Sequence, residues 1–341
     1  MKQNKISVRT RLLDSDGELT AAGYGVTDVF EYRRGDIKAN PMRIKEWDFY
    51  QISDERYTIQ MVLADISLGG AGTFTLFDRK TGERVEALNL SVLTAGRLGL
   101  PENANTPHFI RNKGNNFNMS IQVMPEKRVL LFDGKDSKGS CISAEITLDV
   151  APGLEYLYMA VPFNEKKHFY LNQKMNCMPA SGKILCRLGE IELDSKSSFC
   201  VLDWGRGVWP YKCDWYWGNG STYLPDGKVF GFEIGWGFGN MTAFTENTLF
   251  YDYKAHKIGE VFLEKDASDY MKPWIFTSND GRFMMTMTPE FDNFTSSRVL
   301  AVGNICHQVF GLWNGYAVLD NGTVIEVNDM TAFCEHSDNR W

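Results

Sequence analysis

The chain has 341 residues, of which 43% are hydrophobic and 23% charged, with a net charge of -7. This composition argues against intrinsic disorder, and the length favours two domains over one ordinary core. The acidic balance argues against a nucleic-acid partner, and the absence of a signal peptide or of about 20 consecutive apolar residues argues against a membrane span, so we expect a cytoplasmic protein.

Short β-strands are predicted along the whole chain. Brief segments rich in β-branched, aromatic or other apolar residues lie at 128–132, 145–149, 283–287 and 323–327. Turn-forming Asp-Gly or Asn-Gly pairs begin at residues 16, 133, 226, 280 and 321. Helical turns are predicted only at 97–105 and 267–271. The sequence therefore predicts an all-β, antiparallel fold with little helix.

An internal repeat supports two domains. Residues 59–83 and 229–260 both run from a strand with a central carboxylate, Asp65 or Glu233, through glycines to a Thr-Leu-Phe strand. The two units are separated by about half the chain, which favours two copies of one β-domain. We predict an N-terminal domain over 1–165 and a C-terminal domain over 166–341.

The segment 203–220 is the strongest candidate for a functional site. It holds four of the nine Trp residues among aspartates and glycines. Indole rings beside carboxylates form a flat apolar wall with local charge, which is typical of a ligand site. The aromatic residues of this segment predicted to bind a ligand are Trp209, Tyr211, Trp215, Tyr216 and Trp217. Arg206 and, further along the chain, Trp236 are also predicted to bind it.

Two carboxylates of this segment are candidate acids or bases. In an extended strand, Asp214 lies on the face opposite Trp215 and Trp217. The residues between Asp203 and Asp214 include glycines and a proline. They could fold Asp203 back near Asp214, with Arg206 beside both carboxylates. The alternative is a structural salt bridge of Asp203 with Arg206 that locks a loop.

The strand at 229–237 carries a third candidate acid. Bulky apolar residues, including Trp236, share one face, while Glu233 shares the other with glycines such as Gly231 and Gly235. Glycines on one face mark a close approach to the backbone. We expect Glu233 to stand alone in a partly dry space, where desolvation raises its pKa and suits it to proton transfer. The alternative is a surface glutamate beside solvent-facing glycines.

Metal and cofactor sites are not predicted. The seven cysteines form no CxxC pair, and the five histidines form no HxH, HxxxH or HExxH motif. No phosphate-binding glycine motif precedes a helix. His168 is a candidate to close over a ligand, with a surface histidine as the alternative.

Several motifs resemble a known family. The segments are 203–207 (Asp-Trp-Gly-Arg-Gly), 209–211, 215–218, 232–235 and 335–341. They resemble the bacterial family called domain of unknown function 2804 over nearly the whole chain. More remotely, the chain is similar to the carotenoid hydratase, AttH-like and Diels-Alderase group. The hydratase motif of Asp-His followed by Trp-Gly has only a loose counterpart at Asp203-Trp204-Gly205, because the histidine is missing.

This resemblance implies two consecutive lipocalin-like antiparallel β-barrel domains. It also implies apolar or amphipathic ligands that undergo hydration, isomerisation or cyclisation through a pocket acid without a cofactor. The remote group thus suggests a chemistry, whereas the nearer family carries no established activity to transfer.

Three functions are open on the sequence. The first, which we favour, is a cofactor-independent acid/base enzyme in which Glu233 or Asp214 moves a proton of a small apolar ligand. The second is a lipocalin-like binding protein. The third is a carbohydrate-active enzyme with paired carboxylates on a Trp platform. A deep pocket lined by apolar side chains around one isolated acid favours the first. A pocket whose acids all pair with Arg or Lys favours the second, and an open Trp-floored groove with two unpaired acids favours the third.

Overall fold

The computed structural model describes residues 3–299 and 302–340. Within these residues the fold is nearly all β, with two 3₁₀ turns, Arg34–Asp36 and Pro41–Arg43, and no α-helix. The predicted all-β class is confirmed. None of the described helical segments has the length and apolar character that a membrane crossing requires.

The first part of the chain forms a 13-stranded sheet, and a two-stranded parallel pair, β1 with β3, lies outside it. The strands of this part of the chain, in sequence order and including β1 and β3, are β1 (Thr10–Arg11), β2 (Gly23–Gly25), β3 (Phe30–Glu31), β4 (Ile44–Ser53), β5 (Tyr57–Asp65), β6 (Gly69–Asp78), β7 (Arg84–Val92), β8 (His108–Gly114), β9 (Phe117–Val123), β10 (Lys127–Lys135), β11 (Cys141–Asp149), β12 (Leu157–Pro162), β13 (Phe169–Cys186), β14 (Gly189–Leu193) and β15 (Phe199–Val208).

This first sheet curls back on itself. Its main path runs β7-β6-β5-β4-β15-β13-β11-β10-β9-β8, with β12 and β14 paired to β13 and with β2 paired to β12. The end strands β7 and β8 lie close together, and Asn89 Nδ2 of β7 donates to Asn112 Oδ1 of β8 at 2.7 Å. Alternate side chains fill the interior, where Phe74 and Phe132 stack with ring centroids 4.6 Å apart. The result is a nearly closed barrel-like sheet.

A second sheet of nine strands follows. Its strands are β16 (Lys212–Tyr223), β17 (Val229–Trp236), β18 (Thr248–Tyr251), β19 (Lys254–Lys257), β20 (Val261–Glu264), β21 (Trp274–Ser278), β22 (Phe283–Val299), β23 (Val302–Val318) and β24 (Val324–Arg340). The strand order is β19-β18-β17-β16-β24-β23-β22-β21-β20. The predicted alternation of β17 is present, since Phe230, Phe232 and Ile234 enter the core of this sheet with Trp274 and Trp313.

The change from one sheet to the other lies between Val208 and Lys212. The predicted domain boundary at 165 and 166 instead falls in the loop between β12 and β13. Both β13 and β15 pair within the first sheet, so the predicted halves do not coincide with the two sheets. Sheet membership alone does not define a folding unit, and the division into 1–165 and 166–341 stays a prediction.

Candidate functional site

A cavity of about 320 Å³ lies between the two sheets. Strands β4, β5, β13 and β15 of the first sheet and β16, β22, β23 and β24 of the second contribute to its wall. Because strand side chains alternate between faces, every second residue of such a strand can reach the cavity. On β24 these residues are Glu335, Ser337 and Asn339.

Part of the cavity wall is an aromatic platform formed by Trp47, Tyr170, Trp209, Trp215 and Phe238. The ring centroids of Tyr170 and Trp209 are 4.7 Å apart, and Trp47 stacks on Tyr170 at 5.6 Å. Tyr170 and Trp209 are buried, whereas Trp47 and Trp215 are partly exposed. The platform therefore presents two accessible indoles, supported by buried rings, to a ligand.

Gly205 makes room for this platform. It pairs with Trp47 across β15 and β4, and a Cβ atom at this position would lie 2.2 Å from the indole of Trp47. We expect Gly205→Ala to displace Trp47 and to lower the free energy of unfolding by about 1–3 kcal/mol, the usual cost of overpacking. Urea unfolding and tryptophan fluorescence would measure both effects. Gly35→Ala is the control because a Cβ there meets nothing within 4 Å, and equal stabilities of the two variants would contradict the prediction.

The indoles also hold the carboxylates of the site. Three indole N–H groups each donate to a different carboxylate: Trp47 to Asp203 Oδ1 (3.2 Å), Trp215 to Glu335 Oε1 (2.8 Å) and Trp217 to Glu233 Oε1 (2.5 Å). A hydrogen bond of this kind fixes the orientation of both partners. The Trp-rich segment therefore positions acids as well as offering an apolar surface.

Lys174 on β13 is the central cation of the site. Its Nζ lies 2.9 Å from Asp203 Oδ2, 3.8 Å from Glu246 Oε1 and 3.9 Å from Glu233 Oε1. It also lies 3.7 Å from the ring centroid of Trp217. Burial lowers the pKa of Lys174, but the three carboxylates outweigh that effect and raise it above its ordinary value. Lys174 therefore stays charged and compensates the buried acids.

Glu233 and Glu246 form a buried carboxyl pair, of which Glu246 lines the cavity and Glu233 does not. Burial raises the pKa of Glu233 well above its ordinary value and raises that of Glu246, while Lys174 opposes both shifts. Asn219 Nδ2 donates to Glu233 Oε2 at 2.8 Å. The expectation that Glu233 stands alone is therefore wrong, and its side chain is fully buried. Gly235 lacks a side chain where Glu246 packs, since a Cβ would lie 2.3 Å from that carboxylate, as the glycine pattern predicted.

Among the described carboxyl groups that line the cavity, that of Glu335 on β24 is the most available to a ligand. Its partly exposed side chain lines the cavity and accepts hydrogen bonds from Trp215 Nε1 at 2.8 Å and Gln308 Nε2 at 3.3 Å. Gln308 is in turn bonded to Gln51 and Gln60 of the first sheet. Burial raises the pKa of Glu335 to about 7, with the hydrogen bond from Trp215 acting against the shift. Glu335 is therefore suited to both donating and accepting a proton near neutral pH.

The raised pKa of Glu335 predicts a pH-dependent stability. Between roughly pH 4.3, the ordinary pKa of a glutamate, and pH 7 the folded state holds a proton that the unfolded state has lost, so stability falls as the pH rises. Allowing for the partial exposure, we expect Glu335→Gln to gain about 2 kcal/mol relative to wild type between pH 5 and pH 8. Urea unfolding of both proteins at the two pH values measures this gain. A difference that is independent of pH would contradict it.

Comparison with known sequences identifies the family. Residues 3–341 match the family described as Domain of unknown function (DUF2804). The chain belongs to the DUF2804 family. No curated protein matches this DUF2804 sequence significantly.

Solved structures share the fold of this DUF2804 chain. The crystal structure of CghA is 10% identical with a TM-score of 0.51, covering 99% of this chain and 97% of CghA. Kievitone hydratase from Nectria haematococca is 9% identical with a TM-score of 0.49, covering 87% and 88%. CghA with Sch210972 is 11% identical with a TM-score of 0.47, also covering 87% and 88%. The likeness to CghA confirms the predicted fold class with two lipocalin-like, barrel-like sheets.

The DUF2804 structure brings only some of the predicted site residues to the cavity. Those that line it are Asp203, Trp209, Trp215 and Trp217. Asp214 is exposed outside it, and Tyr216 stacks with Trp236 at 5.3 Å on the opposite face of the second sheet. Tyr211 is half exposed and His168 lies in the loop before β13, both away from the cavity. The predicted opposition of Asp214 and Tyr216 to Trp215 and Trp217 is therefore present, and it points Asp214 away from the cavity.

Arg206 has a structural environment. It is fully buried, and it donates to Asp48 Oδ1 at 2.8 Å and to the carbonyl oxygen of Trp47 at 2.7 Å. The proposed salt bridge of Asp203 with Arg206 is absent, because residues 203 and 206 project from opposite faces of β15 and Asp203 pairs with Lys174. Arg206 thus supports the strand that carries Trp47.

Sequence reasoning missed several residues of the DUF2804 site, namely Trp47, Lys174, Glu246, Gln308 and Glu335. Periodicity gave no signal for Glu335, because residues 335–340 are all polar and show no alternation. The other residues carry no local pattern that distinguishes them from ordinary strand residues.

Proposed function

We propose that this protein is a cofactor-independent acid/base enzyme for a small apolar or amphipathic molecule, with Glu335 as the proton donor and acceptor. The supporting observation is the environment of Glu335. Among the described residues that line the cavity, it is the one carboxyl group with no lysine or arginine nitrogen within 4.0 Å, and its pKa is raised to about 7. Both protonation states are then populated at neutral pH.

The surrounding groups support proton transfer to carbon. A proton that moves from the Glu335 carboxyl to an alkene or enol carbon leaves positive charge on the ligand, and the faces of Trp47 and Trp215 stabilise such charge. The Glu335 carboxylate then takes back a proton, either from an adding water molecule or from a neighbouring carbon. The first outcome is hydration and the second is isomerisation. Attack by a hydroxyl group within the ligand, which forms the new C–O bond and gives its proton to the Glu335 carboxylate, is cyclisation. Each outcome returns Glu335 to its starting state.

Asp203 and Glu233 take a supporting role in this proposal. Asp203 and Glu246 line the cavity, but both lie within 4.0 Å of Lys174. Glu233 is fully buried next to the same lysine. These acids maintain the charge balance and orientation of the site, and Asp214 lies outside it.

The two other functions have less support. A purely binding pocket would be expected to pair every acid with a cation, whereas Glu335 has none within 4.0 Å among described residues. A glycoside hydrolase needs a second available carboxyl group, and the other cavity carboxyls, Asp203 and Glu246, are held by Lys174. One isolated acid in a partly aromatic pocket favours the acid/base enzyme.

Solvent isotope labelling tests the proposal and does not require an identified substrate. The purified protein is incubated with an apolar extract of its own host cells in deuterium oxide or in ¹⁸O-labelled water, and the extract is examined by mass spectrometry. We expect one component that binds the protein to gain deuterium, and to gain ¹⁸O if the reaction is hydration. A component that binds tightly, as shown by native mass spectrometry, and stays unlabelled would support the binding protein instead.

A further inference from the structure

The cavity has two chemically unlike walls. Opposite in character to the aromatic platform, a polar wall is formed by β22, β23 and β24 and includes Thr295, Asn304, Ser337 and Asn339. Since strand side chains alternate, these polar residues share the face of the second sheet that lines the cavity. A ligand that fills the cavity therefore meets indole rings on one part of its surface and hydroxyl and amide groups on another.

The polar wall retains unused hydrogen-bonding capacity. Asn304 Nδ2 donates to Asn339 Oδ1 at 2.7 Å and to Ser337 Oγ at 3.0 Å. The carbonyl oxygen Oδ1 of Asn304 and the hydroxyl of Thr295 make no hydrogen bond to another described residue. Both side chains are partly exposed where they line the cavity. A ligand hydroxyl group can donate to Asn304 and exchange a hydrogen bond with Thr295.

The charges of the cavity disfavour an anionic ligand. The amino and carboxyl groups among the described lining residues belong to Lys174, Asp203, Glu246 and Glu335. Lys174 is already engaged by Asp203 at 2.9 Å and Glu246 at 3.8 Å. A carboxylate or phosphate ligand would lose its hydration and meet acids without a free cation.

We propose that the ligand is an uncharged amphipathic molecule whose flat apolar body lies on Trp47 and Trp215 and whose hydroxyl-bearing edge meets Thr295 and Asn304. This inference rests on the proposed function only in that both concern the same cavity. The two unlike walls orient the ligand, because its apolar body matches only the aromatic platform and its hydroxyl edge matches only the polar wall. An uncharged ligand also distinguishes this site from sites that bind fatty acids or phosphorylated molecules.

Three fluorescent probes with one skeleton test this inference in the full-length protein. They are anthracenemethanol, methylanthracene and anthracenecarboxylate, and their binding is measured at pH 8 by energy transfer from tryptophan. We expect the alcohol to bind about tenfold tighter than the carboxylate and about threefold to tenfold tighter than the methyl compound, as one hydrogen bond implies. Thr295→Val removes the hydroxyl with little change of shape. It should reduce the advantage of the alcohol over methylanthracene and leave the affinity of methylanthracene unchanged, while the hydrogen bond to Asn304 Oδ1 keeps part of that advantage.

Each other outcome would overturn the inference. Equal or tighter binding of anthracenecarboxylate would show that the cavity accepts anions. An equal loss for all three probes in Thr295→Val would show a structural role for Thr295, and no binding by any probe would show that the cavity does not hold a flat apolar body. Competition by the flat alcohol benzyl alcohol, and none by benzoate, is the second expected result. Because these measurements need no turnover, they can fail while isotope labelling succeeds, and the reverse.

Discussion

Replacement of Glu335 by Gln is expected to slow isotope incorporation into the bound molecule by about 10²–10⁴-fold, the usual contribution of a general acid or base. The amide has nearly the same shape, and its oxygen can still accept the hydrogen bond that Trp215 donates at 2.8 Å. It cannot act as a general acid or base near neutral pH. Binding of the molecule should therefore persist, and the rate of deuterium or ¹⁸O incorporation measures the loss.

A matched control is available on the same strand. Glu326 lies on β24 and is exposed, so Glu326→Gln makes the same chemical change away from the cavity and should leave the labelling rate unaltered. Wild-type rates in Glu335→Gln, with binding intact, would remove Glu335 from the mechanism. Equal losses in both variants would indicate an effect of net charge.

Replacement of Lys174 by Met is expected to lower the free energy of unfolding by about 3–5 kcal/mol at pH 7.5, because it leaves buried carboxylates without their cation. Three carboxylates, Asp203, Glu233 and Glu246, lie within 4.0 Å of the ammonium group. These acids can take up protons when the pH falls, which relieves their repulsion. The loss should therefore be smaller at pH 5 than at pH 7.5, as measured by urea unfolding.

Lys257→Met is the matched control for this loss. Lys257 donates to the carbonyl oxygens of Thr245 and Asn247 at 2.7 Å and to Thr248 Oγ1 at 3.1 Å, and no described carboxylate lies within 4.0 Å of it. Burial lowers the pKa of Lys257 to about 7, so its removal discards little charge at pH 7.5. We expect a smaller loss than for Lys174→Met. Equal losses would show that the carboxylate cluster does not depend on Lys174 for its stability.

The extent to which the site could be predicted differs between its parts. The alternation around Trp215 and Trp217 was predicted correctly because a strand has a fixed period of two residues. The same rule could not tell which face lines a cavity, and Asp214 lies on the other one. The glycine at 235 correctly indicated a close approach to the backbone, but not that Glu246 makes it.

By itself the sequence determined the all-β class, the location of the aromatic residues and the importance of carboxylates near them, since these follow from local composition and periodicity. The tertiary structure decided which acid is available. Lys174, Asp203, Glu246 and Glu335 come from three strands and a loop and meet only when the two sheets pack together. A carboxyl pKa depends on burial and on charges a few ångströms away, and those distances are properties of the folded chain rather than of any segment.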